Sequence, residues 1–179
     1  MKILKNLLYL ILGLIIVALI AAAFLPKNYT VVVSETIKQP KTVVYDYLKL
    51  FGNQKEYSEW IKPDPNLVPV ITGTDGTVGS KSSWKSENSD VGQGSQTITA
   101  MTDNQINLDL EFIAPMEGKA KVINKFESQD STSTKVTVEF YSDAPYPMNL
   151  LSILVGKPMI EKTEKQILKN VKDILENKK

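Results

Sequence analysis

The best acidic cluster in this sequence is a pair of carboxylates beside a tryptophan. Glu59 directly precedes Trp60, and Asp64 follows in the same short segment. A carboxylate near an aromatic ring in a half-buried site can have a raised pKa and act as a general base. The favoured interpretation is simpler, a solvated charge at a helix end or in a loop. Asp109 and Glu111 are predicted on the solvent side of a strand and are not catalytic candidates.

The amino-acid composition excludes several kinds of chemistry. All 21 basic residues are lysine, and arginine, histidine and cysteine are absent. This excludes disulfides, cysteine–histidine zinc sites and histidine-based catalytic relays. A net charge of +1 without arginine also argues against nucleic-acid binding. We therefore predict no metal, no cofactor and no nucleic-acid partner.

A charge-free apolar segment near the N-terminus predicts a membrane anchor. Residues 7–25 would span ~28 Å as a helix, close to the ~30 Å hydrocarbon core of a bilayer. Two lysines precede the segment, which predicts a cytoplasmic N-terminus and a domain on the other side of the membrane. The alternative is a signal peptide cleaved near Ala21–Ala23, which would leave the domain secreted. Residues 1–26 are therefore assigned to the anchor and residues 27–179 to one folded domain.

The rest of the chain predicts one strand, two short helical pieces, six further strands and a long C-terminal helix. Asn28–Lys38 is rich in β-branched residues and predicts the first strand. In Ile106–Ile113, apolar residues alternate with Asn, Asp and Glu, which is typical of a strand with one buried face. The pairing expected across the following turn places Phe112 opposite Ala120.

The C-terminal helix carries one apolar stripe. Ile160, Ile167, Val171 and Ile174 recur at helical spacing, and the remaining face is rich in Lys and Glu. A curved antiparallel sheet has one apolar face to cover, so we expect the helix to dock there. A strongly curled sheet would touch the helix at its edges and leave a cavity between them. The predicted fold class is α+β, a curved seven-stranded antiparallel sheet gripping a long C-terminal helix.

The order of elements and several short motifs resemble the START-like helix-grip superfamily, SRPBCC, in its polyketide cyclase/dehydrase-like branch. The matching residues are Pro40, Val44, Phe51, Asn53, Tyr57, Glu59, Trp60, Asp64-Pro65-Asn66, Gly73, Gly76, Val78-Gly79-Ser80, Trp84, Gly92, Gly94, Leu110, Phe112, Pro115 and Thr134 to Val138. The resemblance covers roughly residues 29–177. It implies a hydrophobic cavity between the sheet and the C-terminal helix. Members bind lipids, sterols, polyketides or other apolar molecules, and a few catalyse cyclisation or dehydration.

Inward-facing aromatic and polar residues define the predicted pocket. Asn124 is informative because it interrupts an inward apolar row, and a buried amide needs a partner in water, backbone or ligand. The side chains predicted to line the cavity are Trp60, Ser82, Trp84, Leu108, Leu110, Phe112, Val122, Asn124, Phe126, Val138, Phe140, Ile167 and Val171. Plain core packing is the competing interpretation for each of them.

These observations predict a membrane-tethered binding protein for an apolar small molecule or lipid. The first alternative is a cyclase-, dehydrase- or hydrolase-like enzyme that uses carboxylate, lysine or tyrosine chemistry. The second is a structural or partner-binding domain with a filled core. An open apolar cavity would favour binding, and an inward carboxylate of perturbed pKa would favour an enzyme.

Overall fold

The computed structural model describes residues 2–177 and has the predicted order of elements. These are α1 (Lys2–Phe24), β1 (Asn28–Ile37), α2 (Lys41–Leu48), a 3₁₀ turn (Phe51–Asn53), α3 (Gln54–Tyr57), β2 (Val70–Thr72), β3 (Lys81–Lys85), β4 (Gln93–Thr102), β5 (Gln105–Ala114), β6 (Gly118–Ser128), β7 (Thr134–Asp143), α4 (Asn149–Leu151), a π-helical turn (Ser152–Gly156) and α5 (Lys157–Asn177). Helix α2 begins directly after Pro40, whose fixed φ suits the entry to a helix. The predicted helix-grip architecture is confirmed.

The seven strands form one antiparallel sheet in the order β1-β7-β6-β5-β4-β3-β2. The first and last strands in sequence therefore lie side by side. Phe112 pairs with Gly118, and Ala120 lies opposite Leu110, so the predicted register across the β5–β6 turn was wrong by two residues. The turn is tighter than predicted because β5 continues to Ala114. A shift of two residues leaves every side chain on its predicted face, since the side-chain period of a strand is two.

Helix α5 buries one stripe against the concave face of the sheet. Its buried apolar residues are Ile160, Ile167, Leu168, Val171 and Leu175, and Ile174 packs beside them. The helix has its closest backbone contacts with β1 and few with the other strands. The space between α5 and β3–β6 is therefore bridged by side chains rather than by close backbone contact.

The two ends of the sheet are different structures. At the end next to α1, which we call the anchor end after the predicted anchor, β1 begins with Asn28 paired to Asp143, and the β5–β6 turn lies on the same side of the molecule. At the far end, β1 finishes with Ile37 paired to Thr134. Helix α2 closes the far end, where the rings of Tyr45 and Phe126 meet at 5.0 Å.

Helix α1 is joined to the domain by a buried asparagine. The Asn149 side-chain amide donates hydrogen bonds to the carbonyl oxygens of Ala22 at 2.7 Å, Leu25 at 3.1 Å and Pro26 at 3.4 Å. Ala22 lies in the last turn of α1, and Leu25 and Pro26 follow the helix directly, where carbonyl oxygens lack partners within the helix. By length and composition α1 is able to cross a bilayer, a requirement that an N-terminal signal sequence also meets.

Candidate functional site

The predicted pocket residues on the strands lie on the face of the sheet that belongs to the core. Cross-strand rows place Ile98, Leu108, Val122, Phe140 and Val31 side by side on that face. The buried members of the predicted set are Ser82, Leu108, Val122, Phe126, Val138, Phe140, Ile167 and Val171. Trp60, Trp84, Leu110, Phe112 and Asn124 are only half-buried. The concave face is thus fully buried in one part and only half-buried in another, which we call its accessible part.

Two aromatic rings stand at the accessible part, near the anchor end. Trp84 and Phe112 meet edge to face at 6.4 Å between ring centroids. Gly94 lies between them in the sheet, paired with Trp84 on one side and with Phe112 on the other. A Cβ atom at Gly94 would come within 2.6 Å of the Trp84 ring, so glycine lets the indole lie across the strand. Indole Nε1 of Trp84 donates to the carbonyl oxygen of Val91 at 3.3 Å, which orients the ring.

Two polar side chains on the concave face lack protein partners. Asn124 is half-buried between Ile106 and Val138, and its amide makes no hydrogen bond to any other described residue. The hydroxyl of Ser80 is fully buried and has no partner either. A few polar groups on an otherwise apolar wall are what orients a ligand in small-molecule sites.

A buried carboxylate completes the site from the helix side. Glu164 on α5 is only 8% exposed, and its Oε1 accepts a hydrogen bond from Trp60 Nε1 at 3.0 Å. Loss of water raises the pKa of Glu164 to about 7, and the hydrogen bond from Trp60 opposes this only in part. Tyr57 is buried nearby, and burial raises the pKa of its hydroxyl well above the usual range. Glu164 therefore titrates between its acid and carboxylate forms near neutral pH.

Sequence reasoning missed Glu164 because it assigned the acidic residues of α5 to the solvent face. A signal was available: Glu164 lies four residues after Ile160 and four before Leu168, in line with the apolar stripe. Burial, rather than residue type, sets the pKa of Glu164. Gln96 was also missed; it faces the site and exchanges hydrogen bonds with Gln54 of α3.

The acidic cluster proposed around Trp60 has a different role. Glu59 binds Lys62 and accepts a hydrogen bond from Asn170 Nδ2 at 2.5 Å. The hydrogen bonds from Lys62 and then Asn170 hold the pKa of Glu59 below its ordinary value. Asp64 accepts a hydrogen bond from the Ser86 hydroxyl at 2.5 Å. Both carboxylates are loop charges with structural partners, so only Trp60 of this cluster belongs to the site.

Two open grooves lie on the outside of the domain. One, of about 750 Å³, runs between β1 and α5 and is lined by glutamate and lysine side chains such as Glu35, Lys162 and Lys165. The other, of about 460 Å³, lies between α2 and the β4–β5 turn. Neither groove contains Trp84 or Phe112, so neither coincides with the predicted pocket. Within residues 2–177 no cluster of acidic side chains is arranged to hold a metal ion.

Known proteins resemble this chain in structure and not in sequence. No protein-family model and no curated protein sequence matches it. Ara h 8.0201 is 17% identical, with a TM-score of 0.58 over 84% of this chain and 99% of its own. Norcoclaurine synthase from Thalictrum flavum, solved with dopamine and hydroxybenzaldehyde, is 12% identical, with a TM-score of 0.59 over 85% and 89% of the two chains. DynU16, from the dynemicin biosynthetic locus, is 10% identical, with a TM-score of 0.59 over 84% and 48%. These neighbours share the helix-grip fold of the Bet v 1 and SRPBCC proteins.

Proposed function

We propose that this chain is a membrane-tethered binding protein for an apolar small molecule or lipid. The ligand would lie on the concave face of the sheet, between β3–β6 and α5. The observation that carries the proposal is the pair of half-buried rings, Trp84 and Phe112, on a face that is otherwise core. Asn124 adds a half-buried amide on the same face, nearer the far end, which a ligand oxygen could pair with in place of water.

The surrounding surface indicates an apolar ligand. Trp84, Leu110 and Phe112 keep part of their surface accessible on a face that is otherwise core. Aromatic rings contribute large contact areas when a ligand covers them. One structural neighbour, norcoclaurine synthase, is described with two small aromatic molecules, which supports the use of this fold for such ligands.

The polar side chains of the site indicate which polar groups the ligand carries. Asn124 offers a donor and an acceptor, and Glu164 offers a carboxyl group on the opposite wall. An apolar body with a hydroxyl, carbonyl or amine at one or two positions would satisfy both. A hydrocarbon without polar groups would leave the Asn124 amide unpaired.

The tether is the second part of the proposal. The 23-residue helix α1 would be ~35 Å long, enough to cross the hydrocarbon core. Lysines at its beginning favour a cytoplasmic N-terminus and a domain on the opposite side of the membrane. The Asn149 hydrogen bonds would then hold the domain close to the bilayer surface.

Photo-crosslinking tests the binding site in the full chain. The protein is reconstituted in phosphatidylcholine vesicles with a diazirine-bearing fatty acid, irradiated, digested and mapped by mass spectrometry. We expect crosslinks in β5 and β6 as well as in α1. Leu110→Trp, which fills the accessible part of the concave face, should remove the β5–β6 crosslinks. Val32→Trp, on the exposed side of β1, is the matched control and should keep them. Crosslinks confined to α1 would contradict the pocket.

An enzyme is the second candidate, and Glu164 is the observation that favours it. A carboxyl group with a pKa of about 7 in a desolvated site can accept or donate a proton at neutral pH. The test is whether a ligand recovered from the native protein changes mass on incubation with the wild type and not with Glu164→Gln. Equal behaviour of the two proteins would leave binding as the function.

A further inference from the structure

A short stretch of chain at the anchor end carries an unusual concentration of exposed apolar side chains. Within twelve residues, the exposed members are Met148, Leu151, Leu154, Val155 and Met159, which we call the apolar shoulder. Leu154 is 65% exposed and Leu151 is 50% exposed. Single exposed apolar residues are ordinary on protein surfaces, whereas a contiguous group marks a site of contact.

The shoulder is directly attached to the end of α1. Asn149, inside this stretch, is fully buried and donates its amide hydrogens to carbonyl oxygens at the end of α1, Ala22 and Leu25 among them. Ala22 is buried as well, and α1 and α4 are in contact. The shoulder therefore lies where the apolar helix meets the domain.

The outward face of the C-terminal helical segment changes character along its length. Near α1 it is mostly apolar from Met148 to Met159, with Lys157 as the one exposed charge in that stretch. Beyond that point the exposed positions are charged, as in Glu161 and Lys165, which form an ion pair at 2.5 Å. The opposite face is buried in the core from Ile160 onward. An apolar outward face limited to the part nearest the anchor is typical of a helix that lies in a membrane interface.

We infer that the apolar shoulder inserts into the lipid interface and holds the anchor end of the sheet against the bilayer. The inference rests on the tether of the proposed function, because α1 positions the shoulder. The occupant of this surface is phospholipid: α1 is almost wholly exposed and apolar, and the same environment that covers α1 continues onto the shoulder. The exposed Met116 in the β5–β6 turn lies at the same end and extends the contact.

The orientation has a consequence for the ligand. Trp84 and Phe112 are at the anchor end, so the accessible part of the concave face would open towards the membrane. An apolar molecule would pass between the bilayer and the site without crossing bulk water. The shoulder would thus serve as the route by which a membrane lipid or a membrane-dissolved molecule reaches the pocket.

Site-directed fluorescence tests this in the full chain, which has no native cysteine. Leu154→Cys is labelled with a nitrobenzoxadiazole dye and reconstituted in phosphatidylcholine vesicles with or without a doxyl-lipid quencher. Val43→Cys is the matched control, since this apolar residue of α2 is 43% exposed but lies at the far end. Ile15→Cys, in the middle of α1, reports on the tether itself.

We expect a blue-shifted dye at Leu154 that doxyl lipid quenches several-fold more than the dye at Val43. If doxyl lipid quenches the dye at Ile15 but quenches the dye at Leu154 no more than the dye at Val43, the inference is overturned and the tether stands. A dye at Ile15 that is not quenched would overturn the tether and, with it, the inference. A further variant, Leu154→Glu, should keep the fold and slow transfer of the diazirine-bearing fatty acid from vesicles to β5 and β6 several-fold, whereas Val43→Glu should not. Equal transfer rates in the two variants would contradict the role of the apolar shoulder.

Discussion

The two ends of the curved sheet differ in how completely their concave face is covered. At the far end, Ile37, Val44, Phe126 and Val136 are each no more than 1% exposed. At the anchor end, residues on the same face of the same sheet, such as Phe112, remain half-buried. The far end is closed by α2 and the C-terminal part of α5, which contact it directly.

Phe112 and Phe126 show the difference between the two ends. They lie on adjacent strands and on the same face, and they differ in what covers them. Phe126 meets the Tyr45 ring inside the core, whereas Phe112 meets the half-buried Trp84. The concave face is therefore covered less completely at Phe112 than at Phe126, although Val31 and Phe140 near the anchor end are buried as well.

The largest expected effect is at the closed end. Val171→Asp would bury a carboxylate without a partner and should lower the free energy of unfolding on the order of 5 kcal/mol. Urea unfolding of the full chain in detergent, followed by the fluorescence of Trp60 and Trp84, measures it. Val32→Asp is the control, because Val32 is 58% exposed, and it should cost little. Equal stability of the Val171 variant and the wild type would contradict the docking of α5.

The paired substitutions Phe126→Ala and Phe112→Ala compare the two ends directly. Phe126→Ala should cost ~3–5 kcal/mol because it opens a cavity in a closed core. Phe112→Ala should cost about 1 kcal/mol or less and should weaken crosslinking of the fatty acid probe. Similar losses of stability in both variants would show that the anchor end is packed core.

Glu164→Gln should change how stability depends on pH. The pKa of Glu164 is raised to about 7 in the folded protein, so the folded state holds its proton more tightly than the unfolded state. The contribution of protonated Glu164 to the free energy of unfolding is therefore fully present below about pH 4.3, the ordinary glutamate pKa. This contribution is lost as the pH rises to about 7. The loss is on the order of 3 kcal/mol.

In urea unfolding at several pH values, Glu164→Gln should gain stability relative to the wild type between about pH 4.3 and 7. Glutamine keeps an oxygen that can accept the Trp60 hydrogen bond, so the packing is preserved. A difference in the free energy of unfolding between the two proteins that does not change with pH would mean that Glu164 is hydrated.

The smallest effect is expected on the outer face of the sheet, away from both ends. Glu139 accepts hydrogen bonds from Lys125 at 2.6 Å and from the Tyr141 hydroxyl at 2.6 Å, and the Lys125 hydrogen bond lowers its pKa. The stability from this group is present at neutral pH and is lost as pH falls through the lowered pKa. Glu139→Gln should cost below about 1 kcal/mol at pH 7 by urea unfolding. A loss of stability as large as that expected for Phe126→Ala would contradict the assignment of Glu139 to the outer surface of the sheet.

Much of the fold was predictable because its signals are local. Alternation in β5 and β6 predicted which residues face the core, and the structure agrees even where the register differs by two residues. The helical spacing of Ile160, Ile167 and Val171 predicted the buried stripe of α5. Such periodicities are properties of the backbone geometry, so they can be read without tertiary structure.

The candidate site was less predictable because its character depends on what surrounds each side chain. Glu59 and Glu164 are both glutamates near Trp60, yet their pKa values shift in opposite directions. Hydrogen bonds from Lys62 and Asn170 lower the pKa of Glu59, whereas burial raises the pKa of Glu164. The helical spacing of Glu164 with Ile160 and Leu168 places it in line with the apolar stripe, but the size of its desolvation depends on distant segments such as Trp60.

The sequence by itself determined the order of elements, the face to which each strand and helix side chain points, and the apolar character of α1, because these follow from residue periodicity and composition. Only the tertiary structure decided which end of the concave face is closed, where Asn149 joins the end of α1, and which carboxylate is buried. Those features arise from contacts between residues more than a hundred positions apart, such as Trp60 with Glu164 and Ala22 with Asn149. Contacts of that range are set by the packing of whole elements.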